Sequence, residues 1–188
     1  MITYKDEFID SSLLSELLRI YNFIDEEDYW FDTGPGRDAG VFHFNNFLRL
    51  CKSKDDYSIL IKTLKKIKQE LLVTAQINKK IYADSYMAAK WVVGDKQYPH
   101  SDSHKNNGDP NGTWWRKYST VLYLNDDCSG GNTYFPDHDL TIEPKKGRLA
   151  LFDAGLEYKH GVSEVTSGVR KNLIAFWGYE KEVCEYRI

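Results

Sequence analysis

The sequence predicts one mainly β domain with N-terminal helices, a jelly roll supported by packed helices. Three observations point there. Amphipathic helical periodicity is confined to the chain before about residue 80. From Ile81 it gives way to short apolar runs separated by turn residues, the pattern of antiparallel strands in a sandwich or barrel. At 188 residues the chain suffices for a single full core and is short for two. No linker, repeat or low-complexity tract divides it. Residues 1–188 therefore read as one domain, with 1–80 as mainly helical support and 81–188 as the β core.

The elements follow in order. Asp10 or Ser11 can cap a helix whose apolar positions are Leu13, Leu14, Leu17, Leu18 and Phe23. Asp28 to Gly40 contains Gly34, Pro35 and Gly36 and reads as a loop. Asp55 or Asp56 opens the clearest helix, with Tyr57, Leu60, Ile61, Leu64, Ile67, Leu71 and Leu72 on its apolar face. Lys62, Lys65, Lys66 and Lys68 cover the wet side, and Asn78 ends it. The expected strands then centre on Ala88 to Val93, Ser119 to Leu124, Thr133 to Phe135, Leu140 to Ile142, Leu149 to Phe152, Val162 to Val165 and Leu173 to Trp177. The helices have an evident use, because an open sheet needs one face covered and its edges protected.

Composition excludes some functions. A net charge of −3 argues against a broad nucleic-acid track. Cys51, Cys128 and Cys184 are odd in number and far apart, so neither a disulfide framework nor a cysteine metal site is expected. The start MITYKDEFIDSSLL carries charge where a signal peptide needs an apolar stretch. No apolar run approaches the ~18 residues that span a bilayer. These features predict a soluble protein, cytoplasmic or otherwise intracellular, without a membrane partner. They leave oligomeric state open.

Chemistry concentrates in four residues. His100 and Asp102 stand two apart and share a side in an extended segment. His160 must arrive from another strand. Two imidazoles and one carboxylate can hold a divalent iron on one face and leave the other open to oxygen and a chelating cosubstrate. Arg170, ten residues after His160, begins a strand on which Asn172, Ile174 and Phe176 share its face. A guanidinium there is costly to bury without an anion. Each residue alone also has a plain reading, as a surface histidine or a surface ion pair. His43, in the helical half, and His104 and His138, in polar turns, are poorer ligands.

Taken with their surroundings, these residues resemble the 2-oxoglutarate and iron(II)-dependent oxygenases, in the branch of prolyl 4-hydroxylase catalytic domains. The resemblance runs from about Lys90 to Tyr179 through YPHSD, RKYSTVLYLND, GGNTYFP, IEPKKGRLALF and HGVSEVTSGVRKNLIAFW. It implies a double-stranded β-helix of cupin-like type. It implies iron bound by His100, Asp102 and His160, with the distal carboxylate of 2-oxoglutarate held by Arg170 and Tyr123. Fe(II), 2-oxoglutarate and O2 would be consumed or cycled, with ascorbate as reductant. Because Asp102 is retained, hydroxylation is implied and halogenation is not. The sequence departs from the family pattern at Trp91, Asn132 and Phe176.

The substrate is the open part. Ser103 to Lys117 is a long polar connection beside the expected metal, and Trp114 and Trp115 within it offer a platform for a proline ring or peptide. Either tryptophan could equally anchor the loop. A prolyl residue in a protein or peptide leads, with succinate and CO2 released. A free amino acid or small metabolite is the alternative substrate. A non-enzymatic jelly-roll binding module is the alternative class. Nucleic-acid demethylation is set aside, since that branch carries a second arginine where this chain has Phe176.

Overall fold

A computed structural model describes residues 1–32 and 39–186. The Gly34-Pro35-Gly36 part of the expected loop lies outside the described residues. The chain runs β1 (Ile2–Lys5), α1 (Ser11–Glu26), β2 (Phe31–Asp32), β3 (Gly40–His43), α2 (Phe47–Leu50) and α3 (Lys54–Thr74). It continues with β4 (Tyr82–Trp91), β5 (Gln97–His100), β6 (Arg116–Tyr123), β7 (Ser129–Gly130) and β8 (Thr133–Phe135). The last strands are β9 (Leu140–Ile142), β10 (Leu149–Asp153), β11 (His160–Val162), β12 (Val165–Ser167) and β13 (Arg170–Gly178).

Local chemistry accounts for the helices. The Asp10 carboxylate caps α1 by accepting from the Leu13 amide at 2.9 Å. The Ser53 hydroxyl caps α3, two to three residues earlier than the aspartates suggest, and Asp55 and Asp56 then sit in the first turn where the helix dipole favours acid. The buried stripe of α1 is Leu17, Ile20, Tyr21 and Ile24. Leu13, Leu14 and Leu18 are only partly buried, and Phe23 is exposed.

Among the described residues the strands form three antiparallel sheets. The large one has the order β1-β10-β6-β13-β4-β3-β2, the second β5-β11-β8-β9, and β12-β7 is a ribbon. This corrects the expectation of a closed, cupin-like double-stranded β-helix. The architecture is a mixed α/β fold of three separate, unclosed sheets. Closure requires hydrogen bonding around the whole ring. Here the strands of the smaller sheets are two to four residues long, and pairing shifts register at His160/Val162 and Val165/Ser167. Such irregularities end a ladder before it can close. The N-terminal part also supplies strands as well as helices. β1 extends the large sheet past β10, and β3 with β2 extends it past β4.

Two cores result. On one face of the large sheet α1 and α3 bury Leu17, Ile20, Ile24, Leu60, Leu64 and Ile67 against Phe42, Tyr86, Leu122 and Trp177. On the other face Ala89, Trp91, Val121, Tyr123 and Ile174 meet Phe135 and Val162 of the smaller sheet. Strand β13 is buried on both faces, so Leu173, Ala175 and Trp177 serve the helices while Ile174 and Phe176 face the second sheet. Truncating a residue such as Leu64 to alanine is worth about 2–5 kcal/mol.

Candidate active site

Antiparallel pairing brings the distant histidines together. His160, the first residue of β11, lies directly opposite His100, the last of β5. Asp102 stands two residues beyond, buried at the end of the strand. The ring centroids of His100 and His160 are 4.6 Å apart. His100 Nε2 is 3.4 Å from Asp102 Oδ1, and His160 Nε2 is 3.6 Å from Oδ2. One ligand atom from each residue can be chosen so that all lie within 4.8 Å of one another. Gly161 makes the approach possible. A Cβ there would meet the Gln97 carbonyl at 2.6 Å and the Tyr134 ring at 2.7 Å.

The protonation pattern suits a metal. Each histidine places Nδ1 3.1 Å from a backbone carbonyl two residues earlier, Tyr98 O for His100 and Tyr158 O for His160. A carbonyl only accepts, so Nδ1–H donates and Nε2 carries the lone pair turned toward Asp102. Burial by itself would raise the Asp102 carboxyl. The His160 and His100 rings and a hydrogen bond from the Ser119 hydroxyl outweigh it and hold Asp102 below the ordinary carboxylate range. An anion flanked by two correctly tautomerised imidazoles is what a divalent iron site requires.

From this triad a narrow cavity runs inward past Ser119, Val121, Thr133 and Ile174 to Arg170. Arg170 is 2 % exposed. Its Nη2 donates to Thr133 Oγ1 at 3.1 Å, and the Tyr123 hydroxyl lies 2.7 Å from the same oxygen. The guanidinium carbon is 5.1 Å from the Trp91 ring centroid and 5.2 Å from that of Tyr123. Gly131, at φ +64°, lets the arginine stem pass, since a Cβ would sit 3.0 Å from Arg170 Cδ. Burial draws the Arg170 pKa down, partly offset by Tyr123. Its Nε and Nη1 have no hydrogen-bond partner in the protein. A buried cation with two unspent donors at the closed end of a cavity fits an anionic cosubstrate.

Other predicted residues fall elsewhere. Trp115 donates from Nε1 to Asp84 at 2.8 Å and packs edge-on against Trp114, which is 47 % exposed. Neither lines the cavity. Asn132 lines a shallow outer groove with Tyr98 and Tyr134, away from the triad. His104 contacts the Ser103 hydroxyl, and His138 stacks on Tyr158. His43, in the half read from sequence as mainly helical, is in β3 and lines a groove at the cavity mouth.

That open groove includes His100, Asp102, Phe31, Asn111, Thr113 and Arg116. Sequence reasoning passed over Arg116. Its Nε donates to Asp84 Oδ2 at 2.6 Å, and its guanidinium lies 3.8 Å over the Phe176 ring centroid. Thr133 and Ser119 were also passed over. Only strand parity with Tyr123 and Val121 could have shown that Ser119 faces inward.

Residues 86–179, half of the chain, match the 2OG-Fe(II) oxygenase superfamily. The chain belongs to that family. The His100–Asp102–His160 triad, the metal-ligand set expected of that family, is intact. Over 68 residues the oxygenase is 44% identical to prolyl 3-hydroxylase 1 of Rattus norvegicus, a match covering 34% of this chain and 9% of that protein. Over 96 residues it is 35% identical to prolyl 3-hydroxylase 2 of Homo sapiens, covering 44% of this chain and 13% of the relative. The chain thus spans a small part of the length of these relatives. Among solved structures, a prolyl hydroxylase from Trichoplax adhaerens in complex with a hypoxia inducible factor oxygen degradation domain peptide fragment superposes with a TM-score of 0.74 at 18% identity, covering 97% of this chain and 85% of the other. A prolyl-4-hydroxylase from Pseudomonas putida gives 0.72 at 17%, covering 95% and 92%. At such identities the likeness carries the fold alone. No helix among the described residues is long and apolar enough to cross a membrane.

Proposed function

We propose that this oxygenase hydroxylates a prolyl residue in a protein or peptide, converting 2-oxoglutarate and O2 to succinate and CO2. The observation that carries the reading is the shape of the mouth. The triad opens on a groove lined by apolar Phe31, Val41, Met87 and Phe176 and by polar His43, Asn111, Thr113 and Arg116. A free amino acid needs a closed pocket, whereas a polypeptide needs a channel to leave by on both sides. The curated relatives are named as prolyl 3-hydroxylases, and similarly folded structures as prolyl hydroxylases, which favours the same substrate class.

Each residue then has a task within one domain. His100, Asp102 and His160 hold Fe(II), with the tyrosine carbonyls fixing the ring tautomers. Bound iron supplies the oxidising chemistry, with ascorbate as reductant. Arg170 grips the distal carboxylate of 2-oxoglutarate, with Tyr123 and Thr133 steering its fork. Arg116, fixed by Asp84 and lying on Phe176, offers its remaining donor edge to a substrate carbonyl. The Ser103 to Lys117 segment limits water at the mouth, and exposed Trp114 can stack on a substrate ring.

The test is aerobic incubation of protein preloaded without oxygen with Fe(II), 2-oxoglutarate and ascorbate, using proline-containing peptides and, in parallel, free amino acids. A gain of one oxygen on a peptidyl proline is the expected mass-spectrometric result. Amino-acid analysis then separates 3- from 4-hydroxyproline. Oxygen gained only by a free amino acid would replace the peptide reading.

A further inference from the structure

Asp102 can give a metal one oxygen or two. Its Oδ1 lies 3.4 Å from His100 Nε2 and its Oδ2 lies 3.6 Å from His160 Nε2. The carboxylate therefore spans the gap between the imidazoles, and the histidines alone do not choose between its oxygens. The choice has consequences. Two imidazoles and one carboxylate oxygen leave a divalent iron open positions for a chelating cosubstrate and for oxygen together. A second carboxylate oxygen would take one of those positions.

A group outside the triad decides it. The Ser119 hydroxyl donates to Asp102 Oδ2. Ser119 is buried on β6, in register with Phe152 of β10 and Phe176 of β13, and all three line the cavity. Packing between two phenylalanines favours an apolar residue in that row. A hydroxyl buried there gives up water, and the partner it finds is Asp102. The backbone on either side of Asp102 is pinned as well, because the Ser101 and Ser103 hydroxyls both donate to the Ala154 carbonyl at 2.9 Å. The carboxylate is left to turn about its own side-chain bonds, and the Ser119 bond holds that turn. Hydrogen bonds from outside a ligand set orient metal ligands in this way.

We propose that Ser119 is a positioning residue that limits Asp102 to one metal bond, its hydroxyl claiming Oδ2 and leaving Oδ1 for the ion. The number of open positions at the site is then set by a side chain that is not itself a ligand. This rests on the triad as the metal site and is independent of which molecule is hydroxylated.

Binding measurements with Co(II), without turnover, test it. Ser119→Ala removes the hydroxyl and frees Oδ2 to take a second position on the metal. Co(II) should bind the variant at least as tightly as the parent. 2-Oxoglutarate must then displace Oδ2, so its affinity for the Co(II)-loaded variant should fall about tenfold (~1.4 kcal/mol). The visible absorption of bound Co(II), which reports its coordination, should differ between variant and parent before 2-oxoglutarate is added. At saturating 2-oxoglutarate the two spectra should coincide. Ser119→Thr restores the hydroxyl and should match the parent. Ser119→Val has the shape of threonine without the hydroxyl and should behave as the alanine variant. That pair decides the matter if Ser119→Ala fails to fold. Parental 2-oxoglutarate affinity with a parental Co(II) spectrum in Ser119→Ala overturns the assignment. So does loss of Co(II) and 2-oxoglutarate affinity together, which marks Ser119 as a general support of Asp102. Asp102→Ala separates the two levels. If Asp102→Ala loses Co(II) while the Ser119 variants match the parent, only the Ser119 role fails. If Asp102→Ala binds Co(II) as the parent does, the triad reading fails as well.

Discussion

At the inner end of the cavity the groups proposed to hold the cosubstrate stand on strands: Arg170 on β13, Tyr123 on β6 and Thr133 on β8. At the mouth the arrangement is different. Asp102 lies past the end of β5, and Asn111 and Thr113 belong to the irregular segment that leads into β6. The inner end is sealed, with Arg170 and Tyr123 almost without solvent exposure, while the mouth is a broad groove. Strands held in register by a ladder place donors to within tenths of an ångström, which suits a cosubstrate of fixed shape. A loop tolerates change in sequence and length without loss of the sheets, which suits the part that selects a variable partner. On the proposed function, rigid chemistry and adaptable recognition are therefore separated along one cavity.

The sharpest way to break this comparison is at the junction of the two ends. Asp102→Ala removes the only anionic member of the triad and leaves two facing imidazoles. Metal affinity should fall more than about a hundredfold, beyond the loss seen for outer partners of metal ligands. Fe(II)- or Mn(II)-binding titrations check this, and hydroxylation should vanish with it. Retained affinity would show that the triad is not the metal site.

Next in size is the inner end itself. Arg170→Ala should weaken 2-oxoglutarate by about 10- to 150-fold, the worth of hydrogen bonds to a charged group, with metal affinity little changed. Arg170→Lys should not restore it, because an ammonium cannot reproduce the fork. Equal loss of metal binding in these variants would mean that the two ends are not separable.

At the mouth, the adjacent tryptophans should behave differently. Trp115→Phe removes the hydrogen bond to Asp84 and should lower stability by about 1–3 kcal/mol, seen as an earlier denaturant midpoint. Trp114→Ala should leave stability near the parent value and raise peptide KM, while uncoupled 2-oxoglutarate decarboxylation persists. Unchanged kinetics in Trp114→Ala would remove it from substrate binding.

The smallest effect lies at the sheet edge behind the inner end. Arg148 and Lys145 hold Asp6 down at about 2, so the carboxylate stays charged well into acid. With the folded value depressed, its contribution is present above the ordinary carboxylate range near pH ~4 and is lost as pH falls toward 2. Asp6→Asn should therefore lower stability slightly at neutrality, with the difference from the parent shrinking as pH falls toward 2. Equal denaturant midpoints at neutral pH would show that the pair contributes nothing.

The legible part of this protein was its triad, which the structure brings together. His100, Asp102, His160 and Arg170 are distinctive residue types at distinctive spacings, and alternation on a strand says which neighbours share a face. The helices were legible too, because Asp10 offers a cap and Leu60, Leu64, Ile67 and Leu71 repeat with the helical period. Much of the architecture was not. β1, β2 and β3 are too short for periodicity to register, and they exist because the edges of the large sheet were there to pair with. The inward turn of Ser119, Thr133 and Arg116 is likewise invisible in small polar or ordinary basic residues whose meaning comes from what they face. Sequence alone determined which groups could do the chemistry, since that depends on residue type and local period. Tertiary structure alone decided that the sheets stay unclosed, that Trp115 ties the loop to Asp84, and that His160 stands opposite His100. Those outcomes depend on pairing between segments far apart in the chain, and no local pattern encodes which partner wins.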